Sequence, residues 1–175
     1  MIEPTPEARK RAAPLLDRLA ALGIAAETHW HRPHFTVDDS RQDRGDAPGH
    51  TKNLFLKDKK SRYFLVTVPD AAEVDLKGLH RLIGAQGRVS FGSAEMMDEL
   101  LGVAPGSVTA LAAMNADPER ITFIIDASLM AGEVVHCHPL TNEATTTLKP
   151  DDLLSFMKSA GHDPLILNID ASDPL

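Results

Sequence analysis

Two apolar runs, Asn53–Leu56 and Tyr63–Val68, flank the polar segment Lys57–Arg62, and this arrangement constrains the fold more than any other stretch of the chain. Short apolar runs joined by a polar link form the pattern of a β-hairpin. Further strands are expected at residues 24–30, 88–91, 134–138, 145–148 and 165–169. Ile121–Asp126 is strongly apolar and β-branched, the composition of a central strand covered on both faces. Pro105–Leu111 reads as a turn running into another strand.

Helices are expected between these strands. Thr5 caps the first, with Pro6 at its opening position and Glu7 in its first turn. Leu15, Leu16, Leu19 and Leu22 then recur at helical spacing, and Gly23 ends the helix. Pro14 is expected to kink this helix or to start a new one. Thr36 and Asp39 mark a second helix start, while residues 41–50 read as a loop. Asp75 is expected to cap a helix through Leu82, and Ser93 one that carries Met96, Met97, Leu100 and Leu101 and closes at Gly102. Pro150, Asp151 and Asp152 open a last helix, which ends at Gly161. Regular βαβ alternation is lacking. The expected fold class is therefore α/β of the α+β type: a mixed, largely antiparallel sheet flanked by helices, in a single domain over residues 1–175.

Charge narrows the function. With 18 basic and 25 acidic residues the net charge is −7, which argues against broad nucleic-acid binding and against duplex DNA as a partner. Yet Lys52, Lys57, Lys59, Lys60 and Arg62 crowd into one short stretch in which Asp58 is the only acid. A local basic patch on an acidic body can still hold a polyanion. The amino-terminal residues show no basic-then-apolar leader pattern, and no apolar stretch approaches the ~18 residues that span a membrane. A cytoplasmic protein with no membrane partner is expected.

Cys137 is the lone cysteine, so no intrachain disulfide can form. In a strand its neighbours His136 and His138 share one face and Cys137 the other, which favours a buried thiol over a metal ligand or a nucleophile. His29, His31 and His34 lie around Pro33, whose ring breaks regular ligand geometry, and they read as a surface loop. No metal and no cofactor is expected.

The chain has no Walker loop, Gly-x-Gly-x-x-Gly, Gly-x-Ser-x-Gly or His-Glu-x-x-His motif. Three polar clusters remain, each beside a strand end. Lys52-Asn53 pairs a three-donor ammonium with an amide that both donates and accepts. Gly106-Ser-Val-Thr109 follows Pro105 and can bring backbone N–H groups close to a ligand. His138-Pro-Leu-Thr-Asn142 places a histidine, a threonine and an asparagine on one turn. Taken singly, each is as readily an exposed strand start or a hydrogen-bonded turn.

Taken in order, they resemble a known family. The segments are Lys52-Asn-Leu-Phe-Leu-Lys-Asp-Lys-Lys60, Tyr63-Phe-Leu-Val66, Leu100-Leu-Gly-Val-Ala-Pro-Gly-Ser-Val-Thr109, Ile125-Asp126, His138-Pro-Leu-Thr-Asn142 and Asp152-Leu-Leu-Ser-Phe156. The chain resembles the YbaK/ProX superfamily of aminoacyl-tRNA editing domains, and within it the free-standing deacylases that clear alanine mischarged onto proline tRNA.

The resemblance implies an ester hydrolase acting in trans on mischarged tRNA, with the tRNA acceptor end as its partner and transient association with prolyl-tRNA synthetase. It implies catalytic roles for Lys52, Asn53 and His138, and substrate contacts from Gly106, Ser107, Val108, Thr109 and Asn142. Lys57, Lys59, Lys60 and Arg62 become candidate contacts to tRNA phosphates. Where relatives read roughly Thr-Pro-Phe-Gly, this chain has Thr109-Ala-Leu-Ala-Ala113, which leaves the amino acid cleared open. The alternatives are a non-catalytic module that binds an aminoacyl or nucleotide end, and a hydrolase of small amino-acid esters.

Overall fold

The computed structural model describes residues 2–45 and 47–171, apart from the side chain of Asp43. Helix α1 (Pro6–Ala21) opens at Thr5, whose Oγ1 accepts from the Ala8 N–H at 3.2 Å. Pro14 lies inside α1, which runs on to Ala21 as one helix, so the expected second start does not occur. The buried stripe Ala8, Ala12, Leu15 and Leu19 continues through the proline, and this face-wide packing offsets the lost backbone bond.

Strand β1 (Glu27–Trp30) is followed by α2 (Val37–Arg44), capped by Thr36 as expected. Helix α2 takes in residues 41–44, which read as loop in the sequence. Arg41 and Arg44 both pair with the Asp70 carboxylate, and that distant partner holds the last turn of an otherwise polar helix. The hairpin forms as expected, β2 (Thr51–Lys57) against β3 (Tyr63–Pro69), with Lys57 opposite Tyr63.

Asp75 does not cap a helix through Leu82. Its carboxylate accepts from the Lys77 N–H in a local turn, and α3 (Leu79–Ile83) starts later, at Gly78, without a side-chain cap. Strand β4 (Ser90–Phe91) and α4 (Ala94–Leu101) follow, the latter capped by Ser93 and closed by the left-handed Gly102. Beyond Thr109 the chain forms a 3-10 helix (Ala110–Met114) where a strand was expected. Residues 110–113 are buried all round, a pattern without period that suits either state. The Thr109 hydroxyl decides between them by accepting from the Leu111 N–H at 3.2 Å.

The remaining elements are β5 (Ile121–Asp126), α5 (Ala127–Met130), β6 (Val135–Cys137), β7 (Ala144–Leu148), α6 (Pro150–Ser159) and β8 (Leu165–Leu167). The strands divide into two sheets. The larger has the order β4-β2-β3-β5-β8, with β3, β5 and β8 parallel and the other pairs antiparallel. The smaller is the antiparallel sheet β1-β7-β6. The α+β class thus stands, with mostly antiparallel pairing, while the strands form two sheets in place of one.

Period-two alternation sends β2, β3 and β5 side chains to two cores. Phe55, Leu65, Ile121, Phe123 and Ile125 face the larger core with α1, α4, α6 and the smaller sheet. Leu56, Phe64, Val66, Val68 and Ile124 face the other, against Leu79, Ile83 and Ile169. The two sheets meet at the start of β2. There the His136 N–H donates to the Gly49 carbonyl at 2.9 Å, and Thr51 Oγ1 donates to the His136 carbonyl at 2.8 Å.

The hairpin tip is held by a buried carboxylate. Asp58 accepts from the Lys60, Arg62 and Gln86 N–H groups and from Arg62 Nε, each at 2.9 Å. Burial alone would raise its pKa, but these donors outweigh burial and hold it at about 2, against an ordinary 3.8. A depressed carboxylate contributes stability that is complete above the unfolded value. The contribution is expected to fade as pH falls from about 4 toward about 2. Asp58→Ala leaves several donors without a partner and is expected to cost roughly 3 kcal/mol in urea unfolding near neutral pH. It is also expected to remove that acid-side dependence.

Candidate active site

A cleft of about 210 Å³ opens where the two sheets meet. Its walls come from the start of β2 (Thr51, Lys52, Asn53), the loop Gly106–Val108, the end of β6 with His138, and the segment His34–Arg44. Fifty-five residues separate Asn53 from Val108, and a single bond spans the gap: Asn53 Nδ2 donates to the Val108 carbonyl at 3.1 Å.

Lys52 and Asn53 are sequential in a strand and so leave it on opposite faces. Asn53 pairs across the hairpin with the buried Thr67, whose hydroxyl donates to Asn53 Oδ1 at 2.6 Å. Each end of the amide thus makes one bond, and Asn53 fixes the Gly106–Val108 loop relative to the sheet. Lys52 stands opposite Val68 and donates to the Ala72 carbonyl at 2.5 Å. One of its three donors is used there, and two can still serve a ligand.

Gly106 takes φ +90°, a conformation open to glycine, and it and Val108 line the cleft. Ser107 is buried, and its N–H donates to the Ala104 carbonyl at 3.0 Å. Thr109 is fully buried, and its hydroxyl caps the 3-10 helix. These two expected substrate contacts do not line the cleft. Asn142 does not line it either. Its side chain donates to the His34 carbonyl at 3.2 Å and its own carbonyl accepts from the His34 N–H at 3.2 Å, which pins one cleft wall.

His138 Nδ1 lies 2.8 Å from the Ala144 carbonyl. A carbonyl only accepts, so Nδ1 carries the proton and Nε2 of the neutral ring presents a lone pair. Burial, together with His31 and His34, outweighs that bond and lowers the His138 pKa to about 4. His50 and His136 stack at 4.0 Å in the same cleft. Burial, then His136 and Arg44, lowers His50 to about 3, and burial also lowers His136. These rings are uncharged at neutral pH. Each lowered imidazole makes the folded state bind fewer protons than the unfolded one below an ordinary value of 6.5. Stability is therefore complete above that value and falls below it. The urea midpoint is expected to drop between about pH 7 and about pH 5, by less in His50→Gln than in the wild type.

Around Pro33 the chain is a loop as expected, with His29 in β1, but the surface placement expected for His31 and His34 is corrected by the structure. His31 and His34 are buried and stack at 4.2 Å, and His31 Nε2 lies 2.8 Å from Thr145 Oγ1. Their burial depends on partners in β7 and the turn before it, far away in sequence. Cys137 is buried as expected, and burial pushes its thiol up to about 12, so it stays a thiol near neutral pH. Among the described residues, no group of three or more His, Cys, Asp or Glu is placed to hold a metal ion.

The sequence reading missed Thr67, Arg44, His50 and Phe35. Arg44 lines the cleft, donates to Ser40 Oγ at 2.7 Å and pairs with Asp70. Among the described residues the cleft lining includes no carboxylate; Lys52 brings an ammonium to it, while the Arg44 guanidinium is paired with Asp70.

Of the candidate tRNA contacts, Lys57, Lys59 and Lys60 are exposed on the hairpin. Arg62 is tied to Asp58 and to the Gly84 carbonyl at 2.9 Å, a role in building the tip.

The cleft thus lies between a strand start that carries Lys52 and the Gly106 turn, on a two-sheet α+β frame. The chain belongs to the aminoacyl-tRNA editing domain family, whose model matches residues 31–156. It is 42% identical over 168 residues to the prolyl-tRNA synthetase associated domain-containing protein 1 of Bos taurus, covering 93% of this chain and 97% of that one. It is 30% identical over 134 residues to the prolyl-tRNA editing protein ProX of Acetoanaerobium sticklandii, covering 75% and 81%. A solved structure described as a candidate trans-editing enzyme for prolyl tRNA synthetase shares the fold, with a TM-score of 0.69 at 22% identity over 95% of this chain and 99% of the other. Among the described residues no helix is long and apolar enough to cross a membrane.

Proposed function

We propose that this protein is a trans-acting deacylase that hydrolyses the ester of mischarged tRNA, with alanine on proline tRNA as its substrate. The observation that carries the reading is the meeting of Lys52, the Gly106–Val108 turn and His138 around one cleft, although they lie up to 86 positions apart (138 − 52). That is the arrangement an ester needs: a cation for its developing negative charge, a close backbone turn and an acceptor for a hydroxyl proton. A synthetase pocket shaped for proline cannot strongly exclude the smaller alanine, since a missing methylene is worth only ~1–3 kcal/mol. A second, smaller cavity supplies the missing discrimination.

In this reading Lys52 holds a carbonyl or phosphate oxygen and offsets charge in the transition state. Lysine is not the nucleophile, because an amine attacking the ester would leave a stable amide. The attacking water is oriented by the adjacent ribose hydroxyl of the substrate, with Nε2 of His138 as acceptor. Asn53 acts by holding the loop. Lys57, Lys59 and Lys60 add phosphate contacts without reading sequence.

The experiment compares hydrolysis of Ala-tRNA(Pro) with that of alanine methyl ester. Much faster clearance of the tRNA ester supports the reading. Equal rates identify a small-ester hydrolase, and tight binding of tRNA without turnover identifies a binding module.

A further inference from the structure

The cleft is too small for the whole end of an aminoacylated RNA. Its 210 Å³ falls below the ~300–1,000 Å³ usual for small-molecule sites, so it suits an aminoacyl group with part of a ribose. The base of the same nucleotide then has to rest on the rim. Phe35 lies there, 69% exposed, and among the described residues it is the only cleft-lining aromatic besides the histidines.

Its backbone is anchored on both sides. The preceding His34 is held by the paired bonds to Asn142, and the Phe35 N–H donates to Asp39 Oδ2 at 3.4 Å. The ring packs close over the glycine turn, with Cδ1 3.4 Å from where a Cβ on Gly106 would sit. The phenyl group is thus positioned against the cleft and left open to solvent. A flat apolar surface beside a cleft that holds the Lys52 ammonium suits a nucleotide, whose base stacks while its phosphate faces that cation.

We propose that Phe35 is the stacking platform for the nucleobase of the ester-bearing terminal nucleotide. The assignment deepens the deacylase reading and rests on it for the identity of that nucleotide. Base stacking on an aromatic ring is tolerant of base identity, so the platform adds affinity without selecting sequence.

The test measures the binding of three probes to wild type, Phe35→Leu and Phe35→Trp. The probes are a non-hydrolysable 3′-alanylamido-adenosine, AMP, and an alanylamido-diol that lacks the base. Phe35→Leu is expected to weaken both base-bearing probes about tenfold and to leave the base-free probe unchanged. Phe35→Trp is expected to restore base-bearing affinity. Thermal midpoints are expected to match in all three proteins, because the ring is exposed. Equal weakening of all three probes, or no change in any, overturns the stacking role. If AMP binding depends on Phe35 while no aminoacyl-tRNA is hydrolysed, stacking stands and the deacylase reading fails. If aminoacyl-tRNA is cleared but AMP binds Phe35→Leu as tightly as wild type, the deacylase reading stands and stacking fails.

Discussion

Lys52→Ala is expected to lower the single-turnover rate of alanine release from tRNA(Pro) by about a hundredfold or more, the usual scale for removing one group that stabilises developing charge. The ammonium is partly buried at the strand start, bound to the Ala72 carbonyl, with donors to spare for the cleft. Truncation removes the cation and leaves the hairpin register, which rests on backbone pairing from Thr51 to Lys57. The urea midpoint of the variant is therefore expected to stay close to wild type. Lys52→Arg keeps charge but replaces a compact ammonium with a planar fork, and only partial recovery is expected. A Lys52→Ala protein that clears the ester at the wild-type rate would remove this side chain from the chemistry.

The largest stability effect is expected at Asp126, at the end of β5. Its carboxylate is buried and accepts from Ile169 N–H at 2.7 Å, Asp170 N–H at 3.0 Å, Ser128 N–H at 3.1 Å and the Ser128 hydroxyl. It thereby caps α5 and fastens the segment after β8 to the central sheet. Asp126→Ala strands these donors where little water reaches them, and a loss of about 3–5 kcal/mol is expected in urea unfolding. Asp126→Asn keeps one acceptor oxygen but turns an amide toward the Ser128 donors, so an intermediate loss is expected. A change under about 1 kcal/mol in Asp126→Ala would show that the carboxylate does not hold these segments together.

Much of this architecture could be read from local chemistry. Thr5, Thr36 and Ser93 are side-chain caps with the apolar spacing that follows a cap, and each starts a helix where expected. The hairpin announced itself by two apolar runs and a polar link. What escaped reading depends on distant partners. The last turn of α2 rests on Asp70 in the loop after β3. The burial of His31 rests on Thr145, and that of His34 on Asn142. The division into two sheets follows from pairing β1 with β7, over a hundred residues apart, which no local pattern encodes.

The site shows the same division. Lys52, Asn53, Gly106 and His138 were legible because their residue types and order match a family. Their geometry was not. Strand alternation sends Lys52 and Asn53 to opposite faces, and the amide serves to bridge Val108 and Thr67. Ser107 and Thr109, which share a motif with Gly106, turn inward to build the loop and the 3-10 helix. Arg44 and Phe35 carried no signal, since an arginine in the last turn of a helix and a phenylalanine just before a helix start are both ordinary.

The most direct measurement is hydrolysis of a panel of tRNA(Pro) molecules charged with alanine, glycine, serine or proline. The expected result is rapid release of alanine with prolyl-tRNA left intact. Survival of every small-amino-acid ester in the panel, at a protein concentration that saturates tRNA binding, would contradict the account.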